Sequence, residues 1–348
     1  MELRVYKGDM PALSGVAEGF TYIKRTGMYQ QPGEIIVKGP LRGDAGAAHQ
    51  LTPGMTIWRR GTREAYIIET VTLEPDANAP DNVMQTARGR THAALLERRI
   101  VTGGYYQGTA ADIVRQMAES ILNQSGRGFP NVSLSIDRSL GDVTEYRPRP
   151  GTLLSASLEI LRGSGLGLRS VFDLITGMAS LEVYEGADKT SGGAKVMLDP
   201  SFDSISNARS RGTVRGSANA AYVFGDTDNQ TNLPKTEVVD PASLTGYARR
   251  EAAVMFRISG AGVTDAQYRS AMRAYGNIML RTLSREISIS GSVGPGGQSY
   301  KPGEDYCLGD IVLARVGGSG QFTRVRVSGL AEEYTPERSD ITIILTDA

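Results

Sequence analysis

The sequence predicts a β-rich α+β fold in which two antiparallel β-barrels flank an inserted α+β unit. Its 42 glycines and 15 prolines indicate many turns between short strands. Helical periodicity is confined to three stretches, and one hairpin pattern occurs twice. A chain of 348 residues is also longer than one hydrophobic core usually serves, so we expect at least two compact units.

The first barrel is predicted near residues 1–102, where clusters of Gly, Pro and Asp separate short apolar runs. Residues 211–235 are a candidate segment to complete it. The predicted strands are Phe20–Ile23, Glu34–Val37, Thr56–Trp58, Ala65–Thr72 and Val83–Ala87.

Residues 103–210 are predicted to form the α+β unit. One helix begins at Thr109, with Asp112 in its first turn. A second helix, Thr152–Arg162, carries a leucine stripe and ends at Gly163. The apolar positions of the first helix are Ile113, Met117 and Ile121, and the neighbouring predicted strands are Val132–Ile136, Val171–Ile175 and Leu181–Tyr184.

The second barrel is predicted at residues 236–348 and includes a third helix, residues 264–281. Thr264 and Gln267 form a capping box that fixes the start of this helix. We expect the helix to dock against a sheet edge, before the chain returns to strand alternation at Glu286–Ser290. The apolar face of the helix comprises Tyr268, Met272, Tyr275 and Met279.

The same order of hairpin and return strand occurs in both predicted barrels. The first copy comprises Leu51–Gly54, Met55–Arg60, a turn at Gly61, Ala65–Val71 and Val83–Ala87. The second comprises Leu308–Asp310, Ile311–Val316, a turn at 317–320, Phe322–Val327 and Ile341–Leu345. Hairpins are common enough for a chance likeness. The alternative is a duplicated barrel, in which case three subunits would place six similar units around one axis.

Composition limits the possible functions. Lys plus Arg and Asp plus Glu both number 38, so no net charge draws the chain to nucleic acid. Cys307 is the single cysteine, and His49 and His92 are the only histidines, which excludes an internal disulfide and a Cys/His zinc cluster. We expect folding in a reducing cytoplasm, without an export signal or membrane span.

Several motifs have a functional and a structural interpretation. The segment Gly163-Ser-Gly-Leu-Gly167 is glycine-rich like a phosphate loop, but it follows a helix, which favours a helix end and turn. His92 has no nucleophile motif to serve as its base, which favours a structural or surface role. The pair Glu332 and Glu333, or Asp226 and Asp228, has the carboxylates of a glycosidase, with no distinctive spacing.

Two further motifs are weaker. The loop Asp226-Thr-Asp228-Asn229 lacks the glycine and distant glutamate of an EF-hand. The basic clusters Arg147–Pro150 and Arg209–Arg215 are too sparse for a nucleic-acid site and are typical of solvated or interface charges. We therefore expect no catalytic residue, no cofactor and no metal.

Six stretches along the chain resemble segments of siphophage baseplate hub proteins. Phe20–Val37 has an aromatic pair before a Pro-Gly-Glu turn and an apolar strand. Ala65–Glu69 and Ala87–Val101 resemble the strand, turn and L-L-x-R-R helix that close the family's first barrel. The segments from Thr109, Leu161–Gly167 and Ala220–Gly225 occur in the family's order.

The resemblance implies a trimeric ring with two tail-tube-like barrels per subunit, related in architecture to the hub of contractile tails. It implies a virion protein, made in the host cytoplasm, whose partners are the distal tail protein, tail tube, tape measure and tip or fibre proteins, with DNA only in transit. Some relatives carry a C-terminal lytic extension, whereas this sequence stops at Asp347-Ala348, so we expect no lytic activity.

Two alternatives remain open. A tail-associated enzyme that degrades cell wall or glycan would need a carboxylate pair in a cleft. A carbohydrate-binding receptor module would align the exposed aromatic residues Trp58, Tyr105 and Tyr106 along one groove.

Overall fold

The computed structural model describes residues 2–7, 13–41, 50–76, 79–226, 235–239, 246–257, 264–283, 286–294, 299–316 and 320–348. Three predicted features fall outside these residues: His49, the loop residues Asp228 and Asn229, and most of the turn at 317–320. No helix in the described ranges is both long and apolar enough to cross a membrane.

The first part of the chain is a series of antiparallel strands. All five predicted strands have a counterpart, and two short N-terminal strands precede them. The first begins at Tyr22, two residues later than predicted, and the other four are longer than predicted. The strands are β1 (Leu3–Tyr6), β2 (Leu13–Ala17), β3 (Tyr22–Met28), β4 (Glu34–Pro40), β5 (Thr56–Arg59), β6 (Ala65–Asp76) and β7 (Ala79–Thr91). A 3₁₀ helix, His92–Arg98, follows at the predicted L-L-x-R-R segment.

The middle of the chain mixes helices and short strands, as predicted. Thr109 and Thr152 cap their helices by accepting hydrogen bonds from the backbone N–H groups of Asp112 and Ser155. The elements are β8 (Ile100–Val101), β9 (Tyr106–Thr109), α1 (Ala110–Leu122), β10 (Val132–Leu134), β11 (Val143–Tyr146), β12 (Gly151–Thr152), α2 (Leu153–Gly163), β13 (Gly167–Asp173) and β14 (Met178–Tyr184).

The last part contains the third predicted helix, α3, which begins with the expected capping box of Thr264 and Gln267. The elements are β15 (Met197–Leu198), β16 (Ser206–Thr213), β17 (Ala220–Asp226), β18 (Lys235–Val239), β19 (Glu251–Arg257), α3 (Asp265–Thr282), β20 (Glu286–Ser292), β21 (Ile311–Ala314), β22 (Thr323–Tyr334) and β23 (Ser339–Asp347).

One large sheet runs through both ends of the chain, in the order β16-β20-β23-β22-β3-β4-β7-β6-β5-β1-β2, with β21 and β15 added at β22. Two separate closed barrels were predicted, but the described strands form no closed barrel. The reason is the length of β22. Only Thr323–Arg326 pair with β21, so the same edge stays open from Gly329 to Tyr334 and binds β3.

Three large hydrophobic cores, and a smaller cluster around Trp58 and Phe172, support this arrangement in the described part of the chain. One lies within β1–β7 and includes Leu3, Ile23 and Tyr66, and a second lies within β15–β23 and includes Val312 and Leu345. The third is built from the three helices and the small sheet β18-β17-β19. The fold class is therefore β-rich α+β, as predicted.

Helix α3 contacts all three strands of the small sheet and also α2. It thus covers a sheet face, whereas the prediction placed it at a sheet edge. Tyr268 and Tyr275 lie against Phe256, with ring centroids 5.8 and 5.5 Å away.

The described part of segment 211–235 pairs with β20, β18 and β19. The domain limits at 102, 210 and 235 stay a prediction.

Candidate functional site

The hairpin that occurs twice in the sequence has the same backbone hydrogen bonds in both copies. The N–H of Gly54 donates to the carbonyl of Ile68, and the N–H of Gly309 donates to the carbonyl of Val327, both at 2.8 Å. Ile68 and Val327 each donate back, at 2.8 Å, to the residue after the glycine. Both glycines have φ +93°, a conformation that favours glycine over other residues.

The likeness extends from the hairpin to five strands. The neighbour order β5-β6-β7-β4-β3 in the first half corresponds to β21-β22-β23-β20-β16 in the second. A register shift follows Ile68 in the β6–β7 pair and Val327 in the β22–β23 pair, so the bulge also recurs. Two unrelated hairpins do not account for this, and the structure favours the duplication.

The two copies meet where β3 pairs with β22. In this antiparallel pair Arg25 lies opposite Glu332, and Lys24 lies opposite Glu333. Arg25 forms an ion pair with Glu332, which also accepts a hydrogen bond from Arg59 at 3.4 Å. The joint between the copies is thus a strand pair with opposite charges facing each other.

The carboxylate of Glu332 is largely enclosed at this joint. Burial acts to raise the pKa of Glu332, but Arg25, the Tyr334 hydroxyl and Arg59 together hold that pKa below its ordinary value. The Arg59 guanidinium also lies 3.6 Å from the centre of the Tyr334 ring. Glu332 is therefore a structural ion-pair partner, which argues against the predicted alternative of a Glu332–Glu333 acid/base pair.

Two strand edges that correspond to this joint have no partner in the described chain. On β6, residues 70–75 continue past the end of β5 just as β22 continues past β21, and no described strand pairs with that edge. On β16, one edge pairs with β20, and no described strand pairs with the other edge. Both segments are largely exposed.

The structure places His92 in the interior. Its Nδ1 lies 3.3 Å from the carbonyl of Ala65, its Nε2 lies 3.5 Å from the hydroxyl of Thr56, and its ring stacks on Phe172. Burial lowers the pKa of His92 to about 4. A neutral, enclosed imidazole here supports packing, in line with the structural interpretation.

The glycine-rich segment Gly163–Gly167 ends α2, and Gly165 adopts φ +69° as a helix terminus requires. Its first three residues, Gly163 to Gly165, line a cavity of about 650 Å³, together with Arg215 from the second basic cluster. Sequence reasoning did not place these two motifs together, because residue spacing carries no signal for contacts between distant segments.

The two basic clusters differ in their surroundings. Arg147 lies over the ring of Tyr105 and Arg149 over the ring of Tyr275, with distances of 4.5 and 5.4 Å to the ring centres. Arg209 and Arg211 lie on the open strand β16, and within the described ranges neither has a carboxylate within 4.0 Å. The first cluster is thus packed on aromatic rings, and the second is exposed at a strand edge.

The aromatic residues of the proposed carbohydrate groove belong to different parts of the fold. Trp58 is buried beside Tyr6 and Phe172, and its indole N–H donates to the carbonyl of Thr62. Tyr106 packs against the helical core, and Tyr105 is exposed. In the ranges that the structure covers, no three His, Cys, Asp or Glu residues are grouped to hold a metal.

Comparison with known proteins identifies relatives of the whole chain. The model of the siphovirus ReqiPepy6 Gp37-like protein family matches residues 2–345. The 43 kDa tail protein of prophage MuSo2 from Shewanella oneidensis has a similar structure, with TM-score 0.63, 14% identity and coverage of 100% of this chain and 98% of that one. No curated protein gives a significant match.

Two further solved structures share the fold at low identity. A tail protein from Neisseria meningitidis MC58 has TM-score 0.58 and 13% identity over 99% of this chain and 96% of its own. Prophage tail protein gp18 from Listeria monocytogenes EGD-e has TM-score 0.57 and 12% identity over 99% of this chain and 94% of its own. The fold is thus shared with phage tail proteins along nearly the entire chain.

Proposed function

Because the chain belongs to the siphovirus ReqiPepy6 Gp37-like protein family and has the fold of phage tail proteins, we propose that it is a structural hub of a phage tail tip. Three copies form a ring that presents six similar units, joining the sixfold tail tube to a threefold tip. Binding energy and geometry perform this work, and no reaction is required.

The internal duplication is the observation that supports this proposal best. Each of the two repeats within the chain contains a short strand, a long strand with a bulge, a return strand and two further strands, around a core of its own. Two such units in one chain are what a trimer needs to match six tube subunits. Each half would act as one tube-like unit, and the helical core between them would form the outer part of the ring.

The partners follow from this position. We propose that the distal tail protein and tail tube bind one face of the ring, that the tape measure protein ends at it, and that tip or fibre proteins bind the other face. DNA would pass through the ring only during ejection. The protein would then be a component of the virion, synthesised in the host cell.

Native mass spectrometry over a range of protein concentrations tests the proposal. We expect a species near three times the chain mass of 37.3 kDa. A chain that remains monomeric at every concentration, or that forms a ring with another number of subunits, would contradict the trimeric hub.

A further inference from the structure

The duplication identifies which strand edges one copy of the chain presents to the next. Inside the chain, the first repeat binds the second through β3 and the far end of β22. The counterpart of β3 in the second repeat is β16, and the counterpart of β22 in the first repeat is β6. Among the described strands, neither counterpart has a partner on the corresponding edge.

The described strand pairs also predict which residues of β16 and β6 would face each other in a contact equivalent to the β3–β22 pair. Ile36 on β4 and Ser290 on β20 are equivalent, because each pairs with the return-strand residue, Arg88 or Ile344, that lies opposite the first residue after the bulge. Lys24 pairs with Ile36, and Arg209 pairs with Ser290. Lys24 therefore corresponds to Arg209, and by the same reasoning Arg25 corresponds to Ser210.

The long strands align in the same way. The common hydrogen bonds equate Ile68 with Val327, and the bulge residue that follows is skipped in both copies. Glu333 on β22 then corresponds to Glu74 on β6, and Glu332 corresponds to Leu73. The in-chain pair of Lys24 and Glu333 thus has a counterpart of the same charge pattern in Arg209 and Glu74.

We propose that β16 of one copy of the chain pairs in antiparallel orientation with residues 70–75 of β6 in a second copy, with Arg209 opposite Glu74 and Ser210 opposite Leu73. This inference rests on the proposed hub function and specifies its subunit interface. The contact joins two different edges, so it is heterologous and repeats head to tail. A ring closes when the last β16 reaches the first β6.

The chemistry of the two edges favours a second copy of the chain as the binding partner. Arg209 and Glu74 are exposed, and in the described ranges neither forms an ion pair. An open edge of unpaired N–H and C=O groups is a template for another strand, and opposite charges at facing positions stabilise one register over a slipped one. Leu73, 46% exposed, gains burial only when a strand covers it.

Disulfide trapping tests the register. The background is Cys307→Ser, because Cys307 is a free, exposed cysteine. In this background Ser210→Cys with Leu73→Cys places two thiols directly opposite each other, within the distance that a disulfide spans. We expect oxidation to give covalent dimers and trimers on a denaturing gel. The matched control, Ser210→Cys with Thr70→Cys, is three residues out of register, about 10 Å away, and should give neither.

The outcomes separate this inference from the hub proposal. A trimer in native mass spectrometry without cross-linking of the 210–73 pair would overturn the register and leave the hub intact. Cross-linked chains longer than three would support the register and contradict the trimer. Monomers without cross-links would contradict both.

Charge exchange provides an independent check. Arg209→Glu should weaken subunit association by about tenfold or more, because it sets two carboxylates opposite each other. Adding Glu74→Arg to the same chain should restore association, since the pair is then reversed. Thermal unfolding of each variant at low concentration shows that the monomer is folded. Equal association in all variants would overturn the proposal.

Discussion

Arg25 on β3 donates a hydrogen bond to Glu332 on β22, 307 positions later in the chain, at the strand pair that joins the two repeats. Both side chains are largely enclosed, with 21% and 14% exposed. Glu332→Gln keeps the shape but leaves Arg25 without its counter-charge. We expect the free energy of unfolding to fall by about 2 kcal/mol, measured by urea denaturation at pH 7.

The exposed pair Arg338–Asp340, at 3.0 Å with 69% and 52% of the side chains exposed, is the matched control. Asp340→Asn should change the unfolding free energy by less than about 0.5 kcal/mol, because water screens this pair. Similar losses in the two variants would show that the joint between the repeats does not depend on the enclosed charges.

The sequence predicted local features of the fold well and its long-range contacts poorly. Thr264 and Gln267 formed the expected capping box, because a cap depends on residues three positions apart. The short strand β1 was missed, since four residues carry little periodic signal. The closed barrels were predicted from hairpins alone, whereas the open edge of β22 that binds β3 depends on a length difference between β21 and β22.

At the candidate site, too, local features were predictable from the sequence and long-range contacts were not. The duplicated hairpin was visible in the sequence as a pattern of Leu, Gly and alternating strand residues. Gly54 and Gly309 have the same backbone conformation in the two hairpins. The pairing of Arg25 with Glu332 had no sequence signal, because neither residue lies in a motif and their approach depends on the whole sheet.

Gly54 and Gly309 share a backbone conformation but not an environment. At both positions alanine would be strained by the positive φ, at a cost of about 1 kcal/mol. An added Cβ at Gly54 meets nothing within 4 Å, whereas at Gly309 it meets the buried Tyr29 ring. We expect Gly309→Ala to destabilise the protein by about 3 kcal/mol and Gly54→Ala by about 1 kcal/mol, measured by urea denaturation. Equal losses would mean that Tyr29 moves aside.

Helices α2 and α3 touch through Gly163 and Ile278. A Cβ on Gly163 would lie 2.8 Å from Cγ2 of Ile278. Gly163→Ala should therefore destabilise the protein by about 1 kcal/mol or more, although alanine favours a helix. In an Ile278→Ala background the clash is absent, and the same substitution should be neutral or stabilising. A double-mutant cycle from thermal unfolding measures the coupling, and additive effects would exclude this contact.

His92 makes stability depend on pH below neutrality. Burial lowers its pKa from 6.5 to about 4, so the unfolded chain takes up a proton at a higher pH than the folded chain does. Stability therefore falls on acidification from pH 6.5 towards 4. In His92→Asn the amide can still donate to the carbonyl of Ala65, but it does not titrate. We measure the free energy of unfolding by urea denaturation at pH 7 and pH 5. Between these pH values it should fall by about 2 kcal/mol more in the wild-type chain than in the variant. Parallel losses in the two proteins would mean that His92 is protonated without opening the fold around it.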